Sequence, residues 1–323
     1  MKKGKVSESV LKRSVFKYIS PSETVKKGAA IGSDCAFLEW KEALTVSTQT
    51  VTFPVKDAAG LAIYAAVNNL AAGGSKAEAV TLAITLPEDA EESRLKELMK
   101  QAQEVCETLE VTIAGGHTEA VPRTGSGIVT ATALGKPLSD KLIQNPKADS
   151  DIIMTKWAGL EGTMILARER EPDLLTRYPQ GIITEAKGFE KYLPVIPEAA
   201  TALKSGVYAM HDVRGGGVFG ALWELSRSMN VGLIIDLKKI PVRQETIEIC
   251  EFYELNPYEL LSGGSLLIAA KEGEKLVEDL AKEGIPAVVI GKTTGSNDKV
   301  LINEDEVRFL EPAKPDELYK ILF

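Results

Sequence analysis

The chain is poor in the residues that most often carry chemistry. In 323 residues it has two histidines, His117 and His211, and three cysteines, Cys35, Cys106 and Cys250. The cysteines have neither the short paired spacing of a zinc site nor the density of a disulfide framework. Three small buried thiols in a reducing cytoplasm are therefore expected. No apolar run approaches the ~20 residues that span a bilayer, so no membrane segment is expected. The net charge is -8, and no basic stretch offsets it, which argues against a nucleic-acid partner. Short tandem repeats and low-complexity segments are also missing.

What is present is the composition of a folded α/β protein of two domains. A length of 323 residues and a hydrophobic share of 44% suffice for two cores. Ser7 or Ser9 is positioned to cap a first helix running to Lys17, followed by a glycine-bearing turn from Gly28 to Asp34. Alternation and β-branching predict a strand over Ala43–Thr48. A helix starts at Asp57, with Leu61, Tyr64, Val67, Asn68 and Ala71 on one face, and Gly73-Gly74 stops it. Ala79–Leu86 is apolar at both parities, as in a strand covered on both faces. A charged helix over Glu91–Leu109 and strands over Val111–Ala114 and Gly127–Leu134 complete the first half. The polar segment 135–150, with Pro137 and Pro146, marks the boundary between domains at 1–137 and 148–323.

The second half alternates strands with helices. Strands are predicted at Asp151–Thr155, Gly206–Met210, Val231–Ile235, Ser265–Ala270 and Ala287–Ile290. Helices are predicted at Gly162–Arg170, Glu198–Lys204, Val218–Met229, Glu245–Glu254 and Glu274–Glu283, and Val300–Val307 reads as a hairpin.

Two glycine-rich segments carry the chemistry-bearing side chains. Met210-His211-Asp212-Val213-Arg214-Gly215-Gly216-Gly217 joins an apolar run to a helix through bare backbone. Backbone N–H groups at a helix start, with Asp for a cation and Arg for a phosphate, suit an anion or a metal-bound anion. A surface ion pair between Asp212 and Arg214 is the plain alternative. Gly115-Gly116-His117-Thr118-Glu119 reads as a second turn, one that lets backbone approach a ligand, or one whose glycines only close the bend. Asp34, Ser47-Thr48-Gln49 and Asn68-Asn69 sit at further strand or helix ends. Gly215–Gly220 also matches G-x-G-x-x-G, with Asp236 about twenty residues on, as in a dinucleotide site. Against a nicotinamide-dependent oxidoreductase stand the residues His211–Arg214 between the expected strand end and the first glycine.

Taken in order, these segments resemble the aminoimidazole ribonucleotide (AIR) synthetase, or PurM-like, superfamily, and within it the hydrogenase maturation factor HypE. The resemblance runs from Gly32 to about Gly291. It is carried by Ala114–Val121, His211–Glu224, Ile240-Pro241-Val242, Asn256-Pro257-Tyr258 and Ser262–Ile268. It implies an α/β (α+β) fold of two domains, the N-terminal domains of a homodimer sharing a barrel-like sheet and the C-terminal domain forming an α/β sandwich. It implies ATP between the domains, with Mg²⁺ held by acidic residues. Carried over residue by residue, the nucleotide site would comprise Asp34, Thr48, Gln49, Asn69, Gly115, Gly116, His117, Thr118, Asp212, Arg214, Gly215 and Gly216. Asp34 and Asp212 would be the metal ligands, and His117 and His211 the candidates for acid–base work.

The chain departs from the family pattern at Gln49 and Asn69, where the resemblance leads one to expect aspartates. Mg²⁺ is usually bound through one or two carboxylates plus phosphate, and each amide removes one anionic ligand. The cysteine that carries HypE chemistry has no counterpart at Tyr319–Phe323. Two roles are therefore expected to compete. One is an ATP-dependent enzyme with a partly degenerate Mg–ATP site, activating an amide or phosphorylating an acceptor. The other is a non-catalytic scaffold or partner-binding descendant.

Overall fold

The computed structural model describes Glu8 and residues 25–27, 30–33, 36–39, 43–122, 127–138 and 148–323. The first predicted helix, apart from Glu8, lies outside these residues, as do Asp34, Cys35 and positions 139–147 of the polar segment 135–150.

The first sheet contains β1 (Val25–Lys27), β2 (Ala36–Glu39), β3 (Ala43–Val51), β4 (Ser75–Pro87), β5 (Thr112–Val121) and β6 (Ile128–Pro137), in the spatial order β1-β2-β3-β6-β4-β5. Helices α1 (Ala58–Ala72) and α2 (Glu92–Thr108) pack on one face. No described element of the single chain covers the other face, so the cover expected on both sides of β4 is seen on one side only among the described residues. On β4, Val80, Leu82, Ile84 and Leu86 are buried, whereas Ala83 is exposed and Ala79, Thr81 and Thr85 are half-buried. Threonine pairs continue that open face, with Thr48 Oγ1 and Thr50 Oγ1 each 2.9 Å from Thr132 Oγ1 and Thr130 Oγ1 respectively. The small, weakly polar Ala and Thr side chains tolerate both solvent and burial, so composition alone does not tell a covered face from an open one.

A second correction concerns Gly115–Glu119. These residues form no turn but continue β5, the edge strand, paired in parallel with β4. Ala114 is the extra residue of a bulge, and the strand then resumes with Gly115 opposite Thr81 and Gly116 opposite Leu82. Glycine is required at 116, because a Cβ there would lie 1.9 Å from the Leu82 carbonyl oxygen.

The second sheet has the order β13-β12-β9-β11-β7-β10-β8. Its strands are β7 (Asp151–Thr155), β8 (Ala209–Val213), β9 (Gly232–Asp236), β10 (Ser265–Ala270), β11 (Ala287–Thr294), β12 (Lys299–Asn303) and β13 (Glu306–Phe309). Alternate side chains fill two cores, as strand geometry dictates. Ile152, Met154 and Leu267 meet helix α7 (Gly217–Met229), while Ile153, Leu266 and Ile268 meet α6 (Ile196–Ser205) and α9 (Gly273–Lys282).

Helices α3 (Leu160–Glu169), α4 (Glu171–Leu174), α5 (Gln180–Lys187) and α8 (Gln244–Tyr253) join α1 in one cluster continuous across both halves. That is why α1 is buried all round and not on one face only. The Asn68 amide pins the halves together, donating to the Leu193 carbonyl at 2.8 Å and accepting from the Val195 N–H at 3.1 Å. Arg168 adds an ion pair to Asp57 at 2.6 Å. The short helix α10 (Tyr319–Leu322) ends the chain.

The predicted strand Gly206–Met210 is also shifted. Gly206, at φ 73°, caps α6, and the strand is Ala209–Val213. His211 and Asp212 are thus strand residues, and Arg214 alone separates the strand from the glycines. The case against a dinucleotide-binding unit is instead topological. In such a unit the helix leads to a neighbouring parallel strand, but here β10, β7 and β11 stand between β8 and β9. Asp236, at the end of β9, is therefore separated from the glycine turn's strand by three intervening strands.

Cys106 and Cys250 are buried free thiols, pushed up to about 11 and about 12 by burial, which leaves neither as a thiolate near neutral pH. No helix among the described residues is long and apolar enough to cross a membrane.

Candidate functional site

A cleft of about 280 Å³ opens where the two halves meet. β3 delivers Gln49 to it, α1 delivers Asn69, and β8 with its turn delivers His211, Asp212, Arg214, Gly215 and Gly216. Seven of the residues singled out from sequence are thus brought together from three elements more than 140 positions apart at the extremes.

The remaining candidates are not in this cleft. Thr48 points to the open sheet face, away from Gln49, as the strand's two-residue period requires. Gly115, Gly116, His117 and Thr118 lie on the exposed edge strand, where His117 Nε2 stands 3.6 Å from Glu119 Oε2. The two histidines therefore belong to separate places in one chain. Asp34 is outside the described residues; two positions earlier, Gly32 packs on α7 so tightly that a Cβ would lie 2.4 Å from the Glu224 carbonyl oxygen.

Arg214, Asn69 and His211 have defined partners in the cleft. Arg214 does not pair with Asp212 at the surface. Its Nη1 donates to Gln49 Oε1 at 3.3 Å and its Nη2 to Glu161 Oε1 at 3.4 Å. Glu161 is only 3% exposed, so this guanidinium ties both halves to a buried carboxylate. Its Nε makes no hydrogen bond among the described residues. Asn69 Nδ2 donates to Ser47 Oγ at 3.1 Å, and His211 Nε2 lies 3.1 Å from Glu224 Oε2. Asp212 is buried and stands within electrostatic reach of the Lys156 ammonium.

The Gly216 and Gly217 N–H groups of the glycine turn are already satisfied. Asp316, from the segment before α10, accepts the Gly216 N–H at 2.8 Å, the Leu318 N–H at 3.0 Å and the Leu261 N–H at 3.2 Å. Gly217 N–H donates to Arg214 O, Phe219 N–H to Tyr258 O and Gly220 N–H to Gly216 O. The anion at this helix N-terminus is therefore an internal carboxylate, which corrects the expectation of bare backbone awaiting a phosphate. Burial pushes the Asp316 carboxyl up to about 6, although its three N–H donors favour the charged form.

Asp316, Glu161 and Glu224 are the site residues that sequence reasoning missed. Asp316 had one local signal, an acid two residues before a helical N–H. Glu161 and Glu224 had none, since their partners lie 53 and 13 positions away.

The glycines differ in how strictly they are required. A Cβ at Gly217, where φ is 62°, would meet the Tyr258 carbonyl oxygen at 2.4 Å; at Gly216, where φ is 82°, the nearest atoms are at 3.4 Å. Gly217→Ala should lose more than ~2 kcal/mol and Gly216→Ala roughly 1 kcal/mol, the latter being the left-handed backbone term alone. Urea denaturation of the two variants measures the difference; equal losses would refute the backbone clash at 217.

The described carboxylates lining the cleft are Asp212, Glu224 and Asp316, of which Asp212 is the expected ligand for Mg²⁺. Among the described residues no group of three or more His, Cys, Asp or Glu side chains could hold a metal ion. Glu161 and Glu224 are engaged by Arg214 and His211, and Gln49 and Asn69 supply neutral amides.

Residues 32–136 match the model of the AIR synthase related protein N-terminal domain, and residues 147–303 that of the C-terminal domain. The chain is 27% identical to a putative hydrogenase expression/formation protein of Methanocaldococcus jannaschii, over 93% of this chain and 91% of that one. It is 26% identical to the carbamoyl dehydratase HypE of Rhodobacter capsulatus, over 79% and 76%. Among solved structures, HypE in the HypE–HypF complex superposes with a TM-score of 0.74 at 20% identity, covering 94% of this chain and 99% of that one. HypE in complex with ATP gives 0.71 at 19% identity, covering 90% and 92%. The fold is the two-domain PurM-like fold of these neighbours, and the chain belongs to the AIR synthase-related family.

Proposed function

We propose that the protein is a HypE-like nucleotide-binding protein that takes ATP in the cleft between its two halves, domains 1–137 and 148–323. The observation that carries this reading is the convergence of Gln49, Asn69, His211, Asp212, Arg214, Gly215 and Gly216 on one cavity. Arg214, spanning both halves with an uncommitted Nε, is the cation that meets the phosphates, assisted by Lys314 at the rim. His211, held by Glu224, is the candidate for proton transfer to an acceptor bound there. The acceptor is an amide to be activated or a group to be phosphorylated.

The open Ala/Thr face and the exposed edge of β5 support a homodimer that pairs the first sheets of two protomers. In that assembly Gly115, Gly116, His117 and Thr118 contribute to a nucleotide site from the sheet edge, and Asp34 joins from the segment beside Gly32. A reducing cytoplasm is the compartment this reading assumes.

Titration calorimetry with ATP, with and without Mg²⁺, tests the proposal. ATP should bind in both conditions, with Mg²⁺ changing affinity by less than about tenfold, because few carboxylates are available to the metal. The Gln49→Asp/Asn69→Asp variant should make binding strongly Mg²⁺-dependent. No heat with ATP in either condition would refute the nucleotide site, and a strict Mg²⁺ requirement in the unaltered protein would refute the weakened metal set.

A second reading, a nucleotide-binding scaffold without turnover, is favoured by the two amides and by the occupancy of the glycine turn by Asp316. Detectable ATP hydrolysis that is lost on replacing His211 would exclude it.

A further inference from the structure

A second cavity, about 610 Å³, shares no lining residue with the cleft. It lies between the C-terminal end of α2 and the C-terminal half, and its volume falls within the range of small-molecule sites. Its walls are mostly apolar: Trp157 and Tyr192 meet edge to face at 5.1 Å, flanked by Pro194, Ile196 and Pro286. Of two lining residues with left-handed backbone, Glu110 at φ 56° simply ends α2, whereas Lys156 at φ 52° lies in the loop after β7, where such a conformation more often accompanies a site.

At the base lies a buried ion pair with one oxygen left over. Lys156 spends all three protons within the protein, on Glu198 Oε1 at 2.5 Å, the Tyr192 carbonyl at 2.6 Å and the Pro194 carbonyl at 2.7 Å. It has none for a ligand. Glu198 is 1% exposed, and its Oε2 accepts no hydrogen bond among the described residues. A buried acceptor without a donor is costly, and a ligand N–H would remove that deficit.

We propose that this cavity is a binding site for a small, flat, uncharged aromatic compound carrying an N–H donor, such as an aryl amide or arylamine. The ring packs against Trp157, Tyr192 and the prolines, and the N–H reaches Glu198 Oε2. A net charge is disfavoured in either sign: Glu198 and Glu110 oppose an anion, whereas Lys156, Lys191 and Arg243, the last 4.9 Å over the Trp157 ring, oppose a cation.

Benzamide and methyl benzoate, which match in shape but differ in the N–H₂ group, are the probes. Ligand-observed NMR on the full chain should give benzamide a dissociation constant on the order of 1 mM. Methyl benzoate should bind at least about tenfold more weakly. Ile196→Trp, which fills the cavity, should abolish benzamide binding without lowering the melting temperature; Pro197→Trp at the exposed rim does the same should the first variant fold poorly. Absence of benzamide binding, equal affinity for the two probes, or benzamide binding retained in a folded filled variant would each overturn the proposal.

Discussion

Asp316→Ala should destabilise the protein by several kcal/mol, and by more in mild acid than at neutral pH. The side chain accepts N–H groups from three separate places: the glycine turn, the Leu261 loop and the start of α10. Alanine leaves these donors without an acceptor, at roughly 1–3 kcal/mol for each that stays buried. The pH dependence follows from the carboxyl's elevated value of about 6, against 3.8 for the unperturbed group. Between those values the folded state holds the proton and the unfolded state does not. The group's contribution to stability therefore falls as pH rises from about 4 to about 6 and is flat above. Urea denaturation at pH 5 and pH 7.5 should show a gap between the two proteins about 1 kcal/mol larger at pH 5. A gap independent of pH would mean that Asp316 titrates normally. Near-normal stability of the variant would mean that the three N–H groups find other partners.

Glu198→Ala should be comparably severe, for a different reason. Lys156 and Glu198 form an ion pair in which both side chains are nearly inaccessible. Burial lowers the lysine and raises the carboxyl, each toward its neutral form. Removing the acid alone strands an ammonium, which costs about 3–5 kcal/mol. Removing both charges with apolar residues of similar volume avoids that penalty, so Lys156→Met/Glu198→Leu should recover most of the loss. In Glu198→Ala the lysine's folded value lies further below its unfolded one, so that variant should regain stability as pH rises toward 10. A double-mutant cycle by urea denaturation measures the coupling. Additive losses in the double variant would show that the pair is not coupled and that packing alone holds this region.

Both effects arise from carboxylates that a reading of the chain passes over. Asp316 belongs to the polar stretch Pro315-Asp316-Glu317, and Glu198 is a lone acid at a predicted helix start; neither pattern tells which distant segment covers the carboxylate. Their burial is a consequence of which distant segments fold over them. The same holds for Arg214, whose partners Gln49 and Glu161 lie 165 and 53 positions away.

Local signals were sufficient for most elements. Ser265–Ala270 reads as an aliphatic run after its first residue and is strand β10 over the same residues, since it is covered on both faces and the pattern has no polar side to confuse it. The charged helix over Glu91–Leu109 is α2, because its apolar positions recur at helical spacing. The reading failed where glycine has two meanings. Gly115-Gly116 and Gly215-Gly216-Gly217 look alike in sequence, yet the first pair continues an edge strand and the second run turns into a helix. Glycine permits both conformations, and only the neighbours decide: β4 beside the first, Tyr258 and Asp316 beside the second.

The sequence by itself determined the family and the alternation of strands and helices, because motifs and periodicity are local. Tertiary structure decided the rest. It brought Gln49 and Asn69 to Asp212, kept His117 on a sheet edge away from His211, and filled the glycine turn with a carboxylate from nearly the end of the chain. Those outcomes depend on contacts between residues far apart in sequence, and on burial, which sets both the charge state of Asp316 and the partners left for any ligand.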